Sequence, residues 1–520
     1  MQIVDDLALK FVVSKDDSKY IKRHIERCEV LRENDRHAEL LVYWGIQEAQ
    51  LLARILGNTV PSPMERDYDW PGMYTPFKHQ RVTASFLTMQ ERAFCFNEAG
   101  TGKTSSVVWA ADYLMKQGLI KRVLVICPLS IMHTAWRSDV FNTAIHRTAA
   151  VAHGATEKRK KIINGTYDFV IINYDGVGTV EEDIVKVGFD LIVIDEANAY
   201  KTPSTKRWKT LNRILKPSTR LWMLTGTPAS QSPVDAYGLA KLVSPNNVPK
   251  YLTTWRDSVM YQVSRFKYMP KPNAKKLVHD ALQPAIRFEK RQCLDLPDIV
   301  HQTREVPLSP QVVRYYKQIK EDMLVEAAGE TITAANAAVV LSKLLQISGG
   351  AVYSDNKEVI EFDATPRFNA LYEVLEETEN KVIVFVPYTH TIQLVSQFLS
   401  SKGVTNEIIN GDISASKRAD IINRFQSQEH PRVLVIQPQA ASHGVTLTAA
   451  DTVVFWSPVM SVETYLQCIA RIDRVGQKNN MLVVHLQGSE VERKLYKMLQ
   501  TKVDLHTGLV DLYKQELGIE

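Results

Sequence analysis

The chain has 520 residues, 45% of them apolar and 23% charged, and a net charge of +5. That length is too great for one ordinary core, and the composition excludes disordered and collagen-like classes. The mildly basic balance permits an anionic partner without demanding one.

The first residues, MQIVDDLALK, carry two aspartates where a signal peptide needs positive charge, so secretion is not expected. In KYIKRHIERCEV (19–30), Ile21, Ile25 and Cys28 recur at helical spacing, and ELLVYWG (39–45) reads as a strand. Residues 1–60 are thus a small accessory domain. VPSPMERDYDWPGMYTP (60–76) holds four prolines, and 61–75 reads as a linker. A first block, 76–240, contains VLVIC (123–127), FVIINY (169–174), LIVIDE (191–196) and LWMLTG (221–226). Residues 241–365 are more helical and irregular, an insertion and connector. A second block, 366–490, contains VIVFV (382–386), RVLVIQ (432–437), TVVFW (452–456) and MLVVHL (481–486). Continuous apolar runs separated by helical stretches predict parallel strands buried on both faces. Two such blocks make an α/β protein of two doubly wound parallel-sheet lobes. In the tail, 491–520, Val491, Leu495 and Met498 have helix spacing and predict a helical brace. No apolar run nears the ~20 residues that cross a bilayer. The five cysteines (28, 95, 127, 293 and 468) form no CxxC pair, which argues against zinc or disulfides and for a reducing compartment.

FNEAGTGKT (96–104) follows the first block's opening and begins a helix. A glycine-rich turn there aims backbone N–H groups at phosphates: Gly100, Thr101 and Gly102 form the cradle, Lys103 reaches the β- and γ-phosphates, and Thr104 ligates Mg²⁺. Asn97 stands where GxxxxGK[ST] has its first glycine. LIVIDEAN (191–198) ends a buried strand in two carboxylates. Asp195 is the candidate Mg²⁺ ligand and Glu196 the residue that orients or deprotonates water. Gln80, upstream, has the amide geometry to pair with adenine. Thr225 and Thr227, in LTGTP (224–228), are candidate sensors of the γ-phosphate. Together these predict a nucleoside triphosphatase using ATP and Mg²⁺. In CIARIDRVGQ (468–477), Arg471 and Arg474 lie three apart on what reads as a helix.

In this order the motifs resemble helicase superfamily 2, and within it the SWI/SNF-type DNA translocases. CPLSIMHTAW (127–136) with its trailing Trp136 is similar to the family's Ia segment, VIVFVPYTHTIQLVSQFL (382–399) to its motif IV, and HGVTLTAAD (443–451) to motif V. QCIARIDRVGQ (467–477) resembles the family's closing arginine motif, with Asp473 where histidine is usual and Asn198 an altered end to the acidic box. The resemblance implies two RecA-like lobes, with Gly444 at the nucleotide and Gln467 in coupling. It also makes Arg471 and Arg474 second-lobe fingers for the γ-phosphate bound on the first. It implies DNA contacts at Ser130, Asn173 and Thr448, and a monomeric, DNA-stimulated ATPase moving on double-stranded or branched DNA. Such a protein is cytoplasmic or nuclear. A single-strand or RNA helicase and an ATP-switched DNA clamp are the alternatives. The stretch Tyr251–Arg291, net +6 with interleaved aromatics, fits a nucleic-acid groove and a packing element equally. Residues 1–60 recognise a DNA structure, dock a partner or brace the first lobe.

Overall fold

Three strand systems account for the architecture of the computed structural model, which describes all residues except 58, 230–231, 265–266, 328–333, 354–357, 442–444 and 502–520. Near the N-terminus, β1 (Gln2–Val4), β2 (Ala8–Ser14), β3 (Cys28–Glu33) and β4 (His37–Tyr43) form an antiparallel sheet in the order β1-β2-β4-β3. A helix, Lys15–His24, packs on it, capped by Ser14, whose hydroxyl accepts from the Asp17 N–H. Ile21 and Ile25 are buried as their spacing predicts, but Cys28 belongs to β3 rather than to that helix.

The chain divides into two compact units. Unit 1 (1–226, 237–249 and 279–289) contains β5 (Arg92–Cys95), β6 (Val123–Cys127), β7 (Ala149–Ala152), β8 (Phe169–Asn173), β9 (Leu191–Ile194) and β10 (Arg220–Leu224). In unit 2, β11 (Met260–Ser264) and β12 (Lys267–Pro270) make an antiparallel hairpin. The returning chain adds β13 (Ala285–Ile286) to the edge of unit 1. The resulting seven-stranded parallel sheet has the order β13-β5-β10-β9-β6-β8-β7. Reversal of strand order between β5 and β6 opens a crevice at the strands' carboxyl ends, where ligands bind in such sheets.

The stretch expected to be a linker is packed instead. Met64 and Tyr68 are buried, the Tyr68 hydroxyl donates to Asp112 at 2.6 Å, and Trp109 Nε1 donates to the Pro71 carbonyl at 3.0 Å. Prolines stiffen this segment without freeing it, because its aromatics have a core to enter. Buried Asp112 also accepts from His146 Nε2 and Arg147 Nε, and these donors with Tyr68 outweigh burial to hold its carboxyl below the ordinary range. The N-terminal segment is fastened to the same unit: Gln50 Nε2 donates to the Thr88 carbonyl at 2.6 Å, and Trp44 Nε1 to that of Pro61 at 2.8 Å.

Unit 2 holds β14 (Ile299–Glu305), a hairpin of β15 (Ala351–Tyr353) and β16 (Val359–Glu361), then β17 (Lys381–Phe385), β18 (Asn406–Ile409), β19 (Val433–Ile436), β20 (Ala450–Phe455) and β21 (Met481–Gln487). Its parallel sheet runs β14-β21-β20-β17-β19-β18. Residues that alternate along one strand enter two different cores: Ile383 and Phe385 with Leu434 and Val453 on one face, Val382 and Val384 with Val433 and Val454 on the other. Burial on both faces is why these strands read as unbroken apolar runs. β14 departs from the helical reading of 241–365. It is an edge strand with one exposed face, so it lacks such a run. The helix Glu490–Thr501 buries Val491 and Leu495 against this sheet, with Met498 at the margin; the rest of the expected brace lies outside the described residues. There Arg367 Nη2 donates to both carboxylate oxygens of buried Glu492, at 2.8 and 2.9 Å.

Candidate nucleotide site and arginine loop

The phosphate loop leaves β5 and opens the helix Lys103–Lys116. Gly100 and Gly102 take φ of 87° and 77°, a region that favours glycine. A Cβ on Gly102 would lie 2.1 Å from Gln80 Nε2. Lys103 Nζ donates to the Asn97 and Glu98 carbonyls at 2.9 and 3.2 Å, spanning the loop where a phosphate chain belongs. Buried Thr101 closes the turn by donating to the Glu98 carbonyl, and Thr104 follows Lys103 in the helix's first turn.

The departure at Asn97 has a structural reason. Its buried amide donates to the Thr83 hydroxyl at 2.9 Å and accepts from the Phe288 N–H at 2.9 Å, fastening the loop to a helix on one side and to β13's exit on the other. A glycine could do neither. Gln80 is equally engaged: its Oε1 accepts from the Phe77 N–H at 2.9 Å, and its Nε2 stands 3.4 Å from the Thr101 and Gly102 carbonyls.

Two strands across, β9 ends in Asp195 and Glu196. Asp195 is buried and accepts from Trp136 Nε1 at 2.9 Å and from the Glu196 N–H at 3.0 Å. Burial pushes the Asp195 carboxyl above the ordinary range; the Lys103 charge and these two donors pull it back. Glu196 has φ 49°, a left-handed turn that costs a non-glycine residue about 1 kcal/mol. The Tyr174 hydroxyl bridges this turn, 2.6 Å from the Asp195 carbonyl and 3.3 Å from that of Glu196. Thr225, also buried, donates its N–H to the Cys95 carbonyl, which aligns β10's end with the phosphate loop. Thr227 begins a short run of unit 2. Among the described residues no group of three or more His, Cys, Asp and Glu side chains stands ready for a metal. One buried carboxylate and one hydroxyl, Asp195 and Thr104, do suit a magnesium ion that brings water and phosphate oxygens as its other ligands.

In unit 2 the arginine pair lies beyond the helix Val462–Ile469, not on it. Ala470 caps that helix, and the chain turns through Arg471–Gly476, with Gly476 at φ 100°. Arg471 is buried, its Nε on the Gln467 carbonyl at 2.7 Å and its Nη1 on that of Val445 at 3.0 Å. Arg474 is half-buried and donates to the Thr446 hydroxyl at 2.9 Å. The Leu447 N–H bonds the Arg471 carbonyl, and Gln477 Nε2 donates to that of Ala450 at 2.8 Å. Gln467 Nε2 reaches Glu463 at 3.4 Å. Gly444, with Ser442 and His443, lies outside the described residues.

Of the candidate DNA contacts, Ser130 sits in the turn after β6, and Asn173 ends β8 with its Oδ1 buried beside Gly176 and, among the described residues, without a hydrogen-bond partner. Thr448 precedes β20 and accepts from Gln426 Nε2 at 3.4 Å. The basic stretch divides. Trp255 is buried, donating to the Pro233 carbonyl, and Lys290 is buried against Asp473; Tyr251 and Tyr261 are exposed, with Lys275 and Lys276. Arg265 and Phe266 lie outside the described residues.

Sequence reasoning missed the supporting donors. Trp136 was visible as a motif residue, but its bond to Asp195, made from a π-helical turn over Met132–Arg137, was not. Tyr174 was visible only as the end of an apolar run, and Lys290 only as one cation of the basic stretch 251–291.

The family model of the SNF2-related domain matches residues 79–349, just over half of the chain, and that of the helicase conserved C-terminal domain matches 366–476. A SWI/SNF-related matrix-associated actin-dependent regulator of chromatin, subfamily A-like protein 1, of Xenopus tropicalis is 24% identical over 82% of this chain and 44% of its own length. An ATP-dependent helicase of Mycoplasma genitalium is 24% identical over 79% of this chain and 39% of its own. The chain therefore spans less than half the length of these relatives. The SWI2/SNF2 ATPase core of Sulfolobus solfataricus, solved with double-stranded DNA, is 21% identical with a TM-score of 0.41, covering 86% of this chain and 95% of that one. The chain belongs to the SNF2-related domain family.

Proposed function

We propose that this protein is a DNA-dependent ATPase that couples hydrolysis to movement along double-stranded or branched DNA, remodelling forks or recombination intermediates or displacing bound proteins. The observation that carries the hydrolytic half is the pairing, in unit 1, of a lysine-spanned phosphate loop with a buried, Trp136-braced Asp195. Lys103 and the loop N–H groups bind the phosphates. Thr104 and Asp195 hold Mg²⁺, which neutralises phosphate charge when bound. Glu196 orients the attacking water, and Thr225 and Thr227 sense the γ-phosphate. The arginine loop supplies positive charge to the transferring phosphoryl group, worth about 10³–10⁵ in related phosphoryl transfers. We assign that role to Arg474, which is half-buried and donates to the Thr446 hydroxyl, with buried Arg471 as its brace. Support for DNA comes from the family, from a mouse relative named as a DNA-binding helicase, and from the exposed lysines and tyrosines about the β11–β12 hairpin. Ser130, Asn173 and Thr448 are assigned to the DNA backbone, where contacts position without reading sequence. The N-terminal segment is assigned to bracing, on the bonds of Trp44 and Gln50 to the Pro61 and Thr88 carbonyls.

The test is ATP hydrolysis by the purified chain without nucleic acid and with single-stranded DNA, linear duplex, forked DNA and RNA, with Glu196→Gln as the blank. Stimulation by duplex or forks is expected. Stimulation mainly by RNA or single strands would assign a helicase instead, and a blank-level rate on every substrate a nucleotide-switched clamp.

A further inference from the structure

Lys290 is the first residue of the last run of unit 2, directly after Glu289 ends unit 1. It is 183 residues from Asp473, yet its Nζ binds that residue twice: the carboxylate Oδ2 at 2.5 Å and the main-chain carbonyl at 2.8 Å. The two side chains are 8% and 9% exposed, so the pair is sealed from water. Arg291 stands 3.8 Å from the other carboxylate oxygen, at the margin. A buried ion pair adds little stability over an apolar pair of the same volume, because desolvation offsets the attraction. What it adds is position. Here one ammonium grips both the side chain and the backbone of the residue beside Arg474.

We propose that Lys290 is a positioning residue for the arginine loop: through Asp473 it fixes the backbone from which Arg474 projects. The inference rests on the phosphoryl-transfer role assigned above to that loop. Asp473 occupies the position where the resemblance leads one to expect histidine, which has no carboxylate to offer an ammonium. Arg471 and Gln477 hold the loop to residues 445–450 on its other side, and among the described residues Lys290, with Arg291 at the margin, ties it to the connector.

The test compares kcat and ATP KM in full-length Lys290→Met, Asp473→Leu and the double variant, with Arg474→Ala alongside and thermal midpoints for all. Each single variant strands a buried charge, so its midpoint and its kcat both fall, kcat by about 10- to 100-fold for a loop displaced on the ångström scale. The double variant removes both charges and regains the midpoint. Its kcat stays low with ATP KM within about twofold of wild type, because the position is still lost. If kcat recovers with the midpoint, the pair is merely structural and the proposal is overturned. If Arg474→Ala loses turnover while the folded double variant keeps it, the proposal alone fails. If Arg474→Ala turns over at the wild-type rate, the role of the loop fails and the proposal with it.

Discussion

Replacing Trp136 by Phe removes one hydrogen-bond donor from the acidic strand end and leaves the phosphate-loop side chains in place. Trp136 Nε1 lies 2.9 Å from Asp195 Oδ2, wholly buried, and that carboxyl is already pushed upward by burial. A buried hydrogen bond to a charged group contributes about 1.5–3 kcal/mol. If that stabilisation is lost from the ionised Asp195 of the activated complex, the barrier rises by the same amount. At about 1.4 kcal/mol per decade, kcat falls about 10- to 150-fold. The smaller ring also leaves a void, but that registers in the melting midpoint rather than in turnover. Steady-state hydrolysis at saturating ATP, Mg²⁺ and duplex DNA, against Glu196→Gln as zero, gives the ratio. A folded Trp136→Phe protein with kcat within twofold of wild type would show that the indole packs beside Asp195 without tuning it.

Gly102→Ala needs a side chain at φ 77° with its Cβ 2.1 Å from Gln80 Nε2, so nucleotide affinity falls about tenfold or more, read by titration with an ATP analogue. Glu492→Ala strands the Arg367 guanidinium in the core of unit 2; unfolding in urea shows a loss of about 3–5 kcal/mol. Burial holds the His485 imidazole, between Tyr465 and Gln500, down to about 3 from an ordinary 6.5. The unfolded chain therefore binds a proton below pH ~6.5 that the fold refuses until pH ~3, and stability is full above that window and falls through it. The loss is about 2 kcal/mol by pH 5, and His485→Phe, which cannot titrate, flattens that part of the pH profile.

What was legible in the sequence was local or doubly buried. The phosphate loop and the acidic pair are contiguous strings whose chemistry is set by neighbours a few residues away. Strands such as Val123–Cys127 and Val382–Val386 announced themselves because both faces enter cores. Edge elements did not: β14 alternates, β7 is mostly alanine, and β13 has two residues. The arginine pair was misread as helical because a three-residue spacing matches one turn of helix. The capping Ala470 and the positive φ of Gly476 break that turn, and neither has a strong signature.

The partners that tune the site were hidden for a different reason. Asp195 meets Trp136 from 59 residues away, Asn97 meets Phe288 from 191, and Asp473 meets Lys290 from 183. None of these pairs leaves a periodic trace, because each contact is made by two folded elements rather than by one. Yet the odd residues pointed to them. Asn97 and Asp473 are two of the positions where the chain departs from its motifs, and both turn out to bind something distant. In each case the substituted side chain adds hydrogen-bonding groups that the expected residue lacks, glycine having none and histidine no carboxylate. A motif departure in this chain is therefore better read as a search for a partner than as a weakened site. Asn198, at the end of the acidic box, is the next position to which that reasoning applies. It is also engaged within the fold, and its carbonyl accepts from the Lys201 N–H at 3.3 Å. Asn198→His should then lower the thermal midpoint while leaving the ATP KM in place; a KM shift without destabilisation would place Asn198 at the nucleotide instead.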